Sequence, residues 1–215
     1  MAWLHRHLAD FGGEWKPLRW SFHDASMVRH HLKAAAVKKG KRPDRQLQEA
    51  AEALMTLYNA SSVHVNELGY ESWAEQIVHG DWHPGNMLFS QAKLAAVLDF
   101  DSTKLAPPVT DLANGMLQFS IVGGRPNPAD WPAYLDEGKL AQFLAGYRKV
   151  IKMERNKLNS LPDLMIETMI AEAILPVAAT GFFGNLSGLD FLKMIRHKCE
   201  WIDHSRKSLA EAIAG

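Results

Sequence analysis

The sequence predicts a mainly α-helical protein with one short β-hairpin near its middle. Three observations lead there. Apolar residues return at helical spacing through most of the chain, as in Leu47, Ala50, Leu54, Leu57, Tyr58 and Val65. One region breaks that period: Met87-Leu88-Phe89 and Leu94 to Leu98 are short apolar runs flanking Ser90-Gln91-Ala92-Lys93, the pattern of a hairpin. No repeat, low-complexity stretch or flexible linker divides the chain, so residues 1–215 read as a single domain, long enough to bury a full core.

Taken in order, Trp3, Leu4, Leu8 and Phe11 predict a first helix with an apolar face, ended by Gly12-Gly13. Residues 14–23 are aromatic and irregular and read as a packed loop. Asp24 is placed to cap a helix whose inner face is Met27, Val28 and Leu32. The one basic run, Arg29 to Arg45, lacks the interleaved aromatics of a nucleic-acid surface and reads as a solvated helix end and loop. A long helix spans Pro43 to Val65. After the hairpin, Pro107-Pro108 breaks the chain and Thr110 or Asp111 opens a helix through Phe119. Further helices are expected over Tyr134 to Met153 and Leu161 to Ala179, with a Gly-rich turn over Thr180 to Gly188. One last helix carries Leu192, Ile195, Cys199, Ile202, Leu209 and Ile213 inward.

Bulk properties exclude several roles. Formal net charge is zero, so no global field favours nucleic acid or an anionic membrane, and neither is an expected partner. No apolar run is long enough to span a bilayer. A single cysteine, Cys199, rules out an internal disulfide framework and fits a reducing compartment. The first residues lack the basic head and long apolar run of a signal peptide, so the expected location is the cytoplasm.

The chemistry concentrates in Ile77-Val78-His79-Gly80-Asp81-Trp82-His83-Pro84-Gly85-Asn86 and Val97-Leu98-Asp99-Phe100-Asp101. A loop tightened by Pro84 and Gly85 can turn Asp81 and Asn86 toward one point. The hairpin returns the chain to its start, so Asp99 is expected to converge on them. A carboxylate with an amide oxygen is hard-oxygen ligation suited to Mg²⁺, and a second, uncommitted carboxylate can take a proton from a hydroxyl. His83 reads as a loop-stabilising hydrogen-bonding group or a metal or phosphate contact, and Asp101 as a local turn residue. Gly80-Asp81-Trp82-His83 also matches the opening of metallophosphoesterase motifs, but the later Gly-Asn-His segment of that fold is absent. His5, His7, His30, His31, His64, His197 and His204 form no ligand pattern and are expected at the surface.

His79-Gly80-Asp81-Trp82-His83-Pro84-Gly85-Asn86, then Leu98-Asp99-Phe100-Asp101, then Asp111-Leu112-Ala113, resembles the aminoglycoside phosphotransferase and choline kinase-like family, which shares the protein-kinase-like fold. Leu4-His5-Arg6 is similar to the Leu-His that follows the hinge in that family. The resemblance implies a helical C-terminal lobe with the hairpin at its catalytic loop. It implies Asp81 as catalytic base, Asn86 and Asp99 as Mg²⁺ ligands, His79 as a structural member of the loop, and Asp111 as a buried anchor for the loop backbone. ATP, Mg²⁺ and a small-molecule alcohol are the implied cofactors and substrate.

The resemblance covers the larger lobe only. No Gly-rich strand-turn-strand precedes residue 77, and no β-strand carries a Lys to pair with the α/β-phosphates. The expectation is a phosphotransferase lobe impaired in isolation, completed by a separate N-terminal lobe or covered by self-association. The alternative expectation is an inactive lobe serving as a binding module. For the acceptor, Glu167, Glu172, Asp190 and Glu200 are candidates to hold a cation, flanked by Trp201, Phe182 and Phe183, although core or solvated-face roles are the preferred reading of these residues.

Overall fold

A computed structural model describes residues 1–14, 21–35, 44–91 and 93–214. Its helices are α1 (Ala2–Leu8), α2 (Ser26–Ala35), α3 (Arg45–Glu67), α4 (Pro108–Ser120), α5 (Glu137–Arg148), α6 (Arg155–Asn159), α7 (Leu161–Thr180), α8 (Gly188–His204) and α9 (Arg206–Ala214). Its strands are β1 (Gln76–Val78), β2 (Met87–Ser90), β3 (Lys93–Val97), β4 (Lys104–Ala106), β5 (Phe182–Phe183) and β6 (Leu186–Ser187). No described helix is long and apolar enough to cross a membrane.

The core is built around α7. Its sequence is apolar on every side, and a helix of that kind is stable only when surrounded. Leu161, Leu164, Ile166, Ile170 and Ile174 are fully buried, each contributing roughly 1.5–3 kcal/mol by leaving water. The surrounding helices are α2, α3, α4 and α8. Three acidic residues interrupt this apolar helix, and each takes partners from other elements, Glu172 accepting also from Thr168 of α7 itself. Asp163 pairs with His64 of α3 and Arg206 of α9. Glu167 accepts from the His23 ring, the Ser62 hydroxyl and the Asp24 N–H. Glu172 accepts from Asn114 and Gln118 of α4. Buried carboxylates without such partners would be strongly destabilising.

Three antiparallel strand pairs complete the fold. β1 pairs with β4 in the register Ile77↔Leu105 and Val78↔Lys104. β2 and β3 form the expected hairpin, with a bulge between Leu88 and Phe89. β5 pairs with β6. The β1–β4 pair, which periodicity over such short runs does not signal, closes the base of the loop that carries His79 to Thr103.

Several local expectations need correction. In α1 the buried side chains are Ala2 and His5, while Trp3 and Phe11 are 57% and 54% exposed. Asp24 does not cap α2: its carboxylate takes Arg29 and Asn66, and Met27 is exposed, leaving Val28, Leu32 and Ala35 as the inner face. The long helix is capped by Asp44, which accepts from the N–H groups of Gln46 and Leu47, while Pro43 and Lys38 to Arg42 lie outside the described residues. The helix expected over Tyr134 to Met153 is the shorter α5, started by the Asp136 cap on Lys139. The expected single last helix is two, α8 and α9, separated at Ser205.

Candidate active site

The strand pair β1–β4 delivers His79 and Thr103 side by side, and the loop between them holds the chemistry. Gly80 sits where the two ends approach most closely. Its φ is +81°, and a Cβ there would lie 2.2 Å from the Ser102 carbonyl oxygen, so only glycine is accommodated.

Asp111 fastens this end of the loop. It is buried in the first turn of α4; the N-cap is Pro107, so Asp111 is not the capping residue. Its Oδ1 accepts the Gly80 N–H at 2.9 Å, and its Oδ2 accepts the His79 N–H at 2.8 Å and the His5 Nε2 at 3.1 Å. Burial alone would push this carboxyl up, but the His5 ring and the two backbone donors hold it below the ordinary carboxylate range. His5 is not at the surface: it is fully buried, with Nδ1 2.8 Å from the Tyr147 hydroxyl. His64 does reach the surface, its side chain 46% exposed, with Nδ1 2.7 Å from the buried Asp163.

His79 commits both ring nitrogens. Nε2 lies 2.9 Å from the Leu98 carbonyl and must donate, while Nδ1 accepts the Asp81 N–H at 3.3 Å. That pattern needs the neutral Nε2–H tautomer. One buried ring thereby ties residue 81 to residue 98, the neighbour of Asp99. Trp82 is buried, and its N–H donates to Asn114 Oδ1 at 2.8 Å.

Asn86 Nδ2 donates to Asp81 Oδ2 at 2.9 Å and to the Asp81 carbonyl at 3.1 Å. Asp81 and Asn86 are therefore brought together. The Leu98 N–H donates to the Asn86 carbonyl at 2.8 Å, which fixes the hairpin end against the loop. Asp99 follows in left-handed backbone, φ 60°, with its side chain exposed. His83 caps the following turn: its Nδ1 accepts the Gly85 N–H at 3.0 Å. Asp101 is exposed within the 3-10 turn Phe100–Ser102.

The donor set fits a hard divalent cation. Because Asn86 turns its amide nitrogen to Asp81, its Oδ1 has no hydrogen-bond partner among the described residues, and neither has the Asp99 carboxylate. Two groups with free hard oxygens suit Mg²⁺ that keeps waters and phosphate oxygens. No three His, Cys, Asp or Glu side chains gather as a metal cluster among the described residues. Lys104 lies on β4 beneath the loop, its ammonium 5.5 Å from the Phe22 ring centroid; burial lowers its pKa, opposed by the Asp111, Glu172 and Asp81 carboxylates.

Of the acceptor-site candidates, Glu172 and Phe183 line a cleft beside Asp81. Glu167 is buried in the His23 network, Glu200 bonds Arg196 at 2.6 Å, and Phe182 and Trp201 line other surfaces. Asn114, Gln118 and Trp131 were not singled out from the sequence. A signal existed for the first two: with Asp111 they recur at intervals of three and four, a polar stripe on an otherwise apolar helix. Trp131 sits in an irregular loop, where no period applies.

The family described as APH, phosphotransferase enzyme family, matches residues 1–151. No curated protein matches. Among solved structures, the chain is similar to a microcompartment-associated aminopropanol kinase, at 15% identity and TM-score 0.61, covering 97% of this chain and 60% of that one. It is similar to an amicoumacin kinase solved with AMP-PNP, Ca²⁺ and Ami, at 17% identity and TM-score 0.60, covering 95% and 56%. It is also similar to an aminoglycoside phosphotransferase from Alicyclobacillus acidocaldarius, at 13% identity and TM-score 0.56, covering 87% and 55%. The chain thus spans less than two thirds of each of these structures, and the likeness is one of fold: the helical lobe of a kinase-like protein. On its sequence match and its architecture, the chain belongs to the phosphotransferase enzyme family.

Proposed function

We propose that the chain is the acceptor-binding and catalytic half of a small-molecule kinase, moving a phosphoryl group from ATP to a hydroxyl. The observation that carries this reading is the Asp81–Asn86 pair. One Asp81 oxygen accepts the Asn86 amide, and the other has no partner among the described residues. In this reading that free oxygen takes the proton of the acceptor hydroxyl as the hydroxyl oxygen bonds to the γ-phosphorus of ATP and the bond from that phosphorus to the β–γ bridging oxygen breaks, with ADP as the leaving group. Asn86 Oδ1 and Asp99 would hold Mg²⁺, which when bound supplies neutralisation of phosphate charge. His79 and Asp111 position the loop through backbone donors and do not touch substrate. His83 serves the turn. The single cysteine fits a reducing compartment such as the cytoplasm.

The reading assigns the phosphate-covering loop and its lysine to a separate nucleotide-binding lobe, since the described residues contain no such sheet. Leu88, Phe89, Leu94, Leu98 and Phe100, all near the loop, are 42–59% exposed, which favours a face that another lobe or a second copy covers. If it stays bare of a nucleotide lobe, the same face favours the second reading, a binding module.

The purified 215-residue chain is expected to transfer little or no phosphate from ATP by itself. Supplied in trans with the nucleotide-binding lobe of a relative, it should gain turnover, and Asp81→Asn should then remove at least about 100-fold of it. Turnover that survives Asp81→Asn would overturn the assignment. Full turnover by the lone chain would overturn the half-site reading.

A further inference from the structure

Beside Asp81 the surface opens into a cleft of about 770 Å³, within the range of small-molecule sites. The loop bearing Asp81 forms one side, and α7, α8 and β5 form the other. Its chemistry is lopsided. Two carboxylates, Asp81 and Glu172, line it, and no lysine or arginine does so among the described residues. Most of the remaining lining is apolar, with rings from Trp131, Phe183 and Phe191.

Those rings are held in place. Trp131 Nε1 donates to the Arg125 carbonyl at 2.8 Å, and Gly123 lies so close that a Cβ there would be 2.8 Å from the indole. Phe183 stacks on Phe191 with centroids 3.8 Å apart and planes 9° from parallel. The loop bearing Trp131 is tied down by Lys198, whose ammonium donates to the carbonyls of Val122, Pro132 and Tyr134 at 3.1, 2.8 and 3.3 Å. An ordered aromatic wall costs a ligand little reorganisation.

Glu172 accepts the Asn114 amide at 2.6 Å and the Thr168 hydroxyl at 3.4 Å on one oxygen, and the Gln118 amide at 2.6 Å on the other. That second oxygen has capacity for a further donor. All three donors are neutral, and the nearby titratable groups are Asp81 and His83 in the same cleft and the buried Lys104. Burial, with the Asp81 charge added, pushes the Glu172 carboxyl up to about 7.

Resting on the kinase reading above, we propose that this cleft takes a singly charged amino alcohol with an apolar or aromatic arm. Its ammonium docks on Glu172, its hydroxyl turns to Asp81 and its arm lies against Trp131 and the Phe183–Phe191 stack. Cation–π contact and a charge-assisted hydrogen bond favour one ammonium here. A sugar bearing several ammonium groups is disfavoured, because the additional charges would meet apolar walls.

The test is calorimetric titration of the 215-residue chain without nucleotide, using four probes. They are 2-amino-1-phenylpropan-1-ol, its amine-free analogue 1-phenylpropan-1-ol, ethanolamine, which lacks the arm, and the polycation kanamycin. The first should bind about tenfold or more tighter than its neutral analogue, the weight of one hydrogen bond to a charged group, and tighter also than ethanolamine, which buries no arm, and than kanamycin, whose surplus charges meet apolar walls. Glu172→Gln should abolish the advantage of the amine over its neutral analogue. Trp131→Ala should weaken the amine about fivefold with Glu172 intact. Equal binding of amine and neutral analogue, tightest binding of kanamycin, or an advantage that survives Glu172→Gln would overturn the proposal. If Glu172→Gln does not fold by circular dichroism, the wild-type series and Trp131→Ala decide. None of these readouts needs phosphoryl transfer, so their failure leaves the kinase reading standing. Conversely, transfer that prefers the neutral alcohol would sustain that reading and sink this one.

Discussion

The loop from His79 to Asn86 and the hairpin β2–β3 that follows it are neighbours in the chain, yet they are stabilised in opposite ways. The loop is irregular, and its polar backbone is closed by side chains: Asp111 takes two N–H groups, Asn114 a third and the His79 ring a fourth. The hairpin, apart from its one bulge, pairs its own backbone strand to strand, but it leaves Leu88, Phe89 and Leu94 about half exposed. Irregular backbone inside a protein must find partners for every buried donor, so it is expensive to alter. A regular hairpin carries no such debt, and its side chains are free to serve a surface. The loop therefore fixes the position of Asp81, and the hairpin presents an exposed apolar face.

Removing the anchor should break this contrast most sharply. Asp111→Ala leaves the His79 and Gly80 N–H groups and the His5 ring without their acceptor, and should cost about 3–5 kcal/mol in urea unfolding. A cost under about 1 kcal/mol would mean the loop does not depend on it. Gly80→Ala comes next, at about 3 kcal/mol, because a methyl group would meet backbone that cannot yield.

A smaller effect is expected from pH. Burial lowers the His23 pKa, but hydrogen bonds to Glu167 and Asn66 and the Glu167 charge more than offset this, so the pKa is raised. Its contribution to stability is therefore fully present below the ordinary histidine value of about 6.5 and is lost as pH rises through the raised folded value. Stability measured across that window should fall in the wild type and fall less in His23→Asn; identical slopes would reject the assignment. Glu172 works in the same direction over another range: with its pKa raised from 4.5 to about 7, the folded state holds the extra proton, so stability falls as pH rises between those values. Glu172→Gln should flatten that part of the curve.

On the hairpin, Phe89→Ser should change stability by less than about 0.5 kcal/mol. Its readout is sedimentation: a chain that self-associates through this face should become more monomeric. A chain that is a monomer before and after the change has no self-contact there, which sharpens the case for a separate lobe as the covering partner.

The motif residues were legible in the chain because the chemistry is local. Asp81 and Asn86 lie on one tight turn, and a hairpin is the only short route that returns Asp99 to that turn. The long helices were legible for the same reason, since periodicity is a property of neighbours. The partners of the loop were not. His5 reads as one more surface histidine until α1 packs beside β1 and places it on Asp111 and Tyr147. Glu172 reads as one of four acidic residues on late helices until α7 meets α4 and its carboxylate finds Asn114 and Gln118 at the cleft beside Asp81. Spacing along a helix shows which side chains share a face, but not which element will cover that face. That choice is made by packing, and only packing decides whether a carboxylate becomes a core anchor, as at Asp111 and Glu167, or the floor of a cleft, as at Glu172.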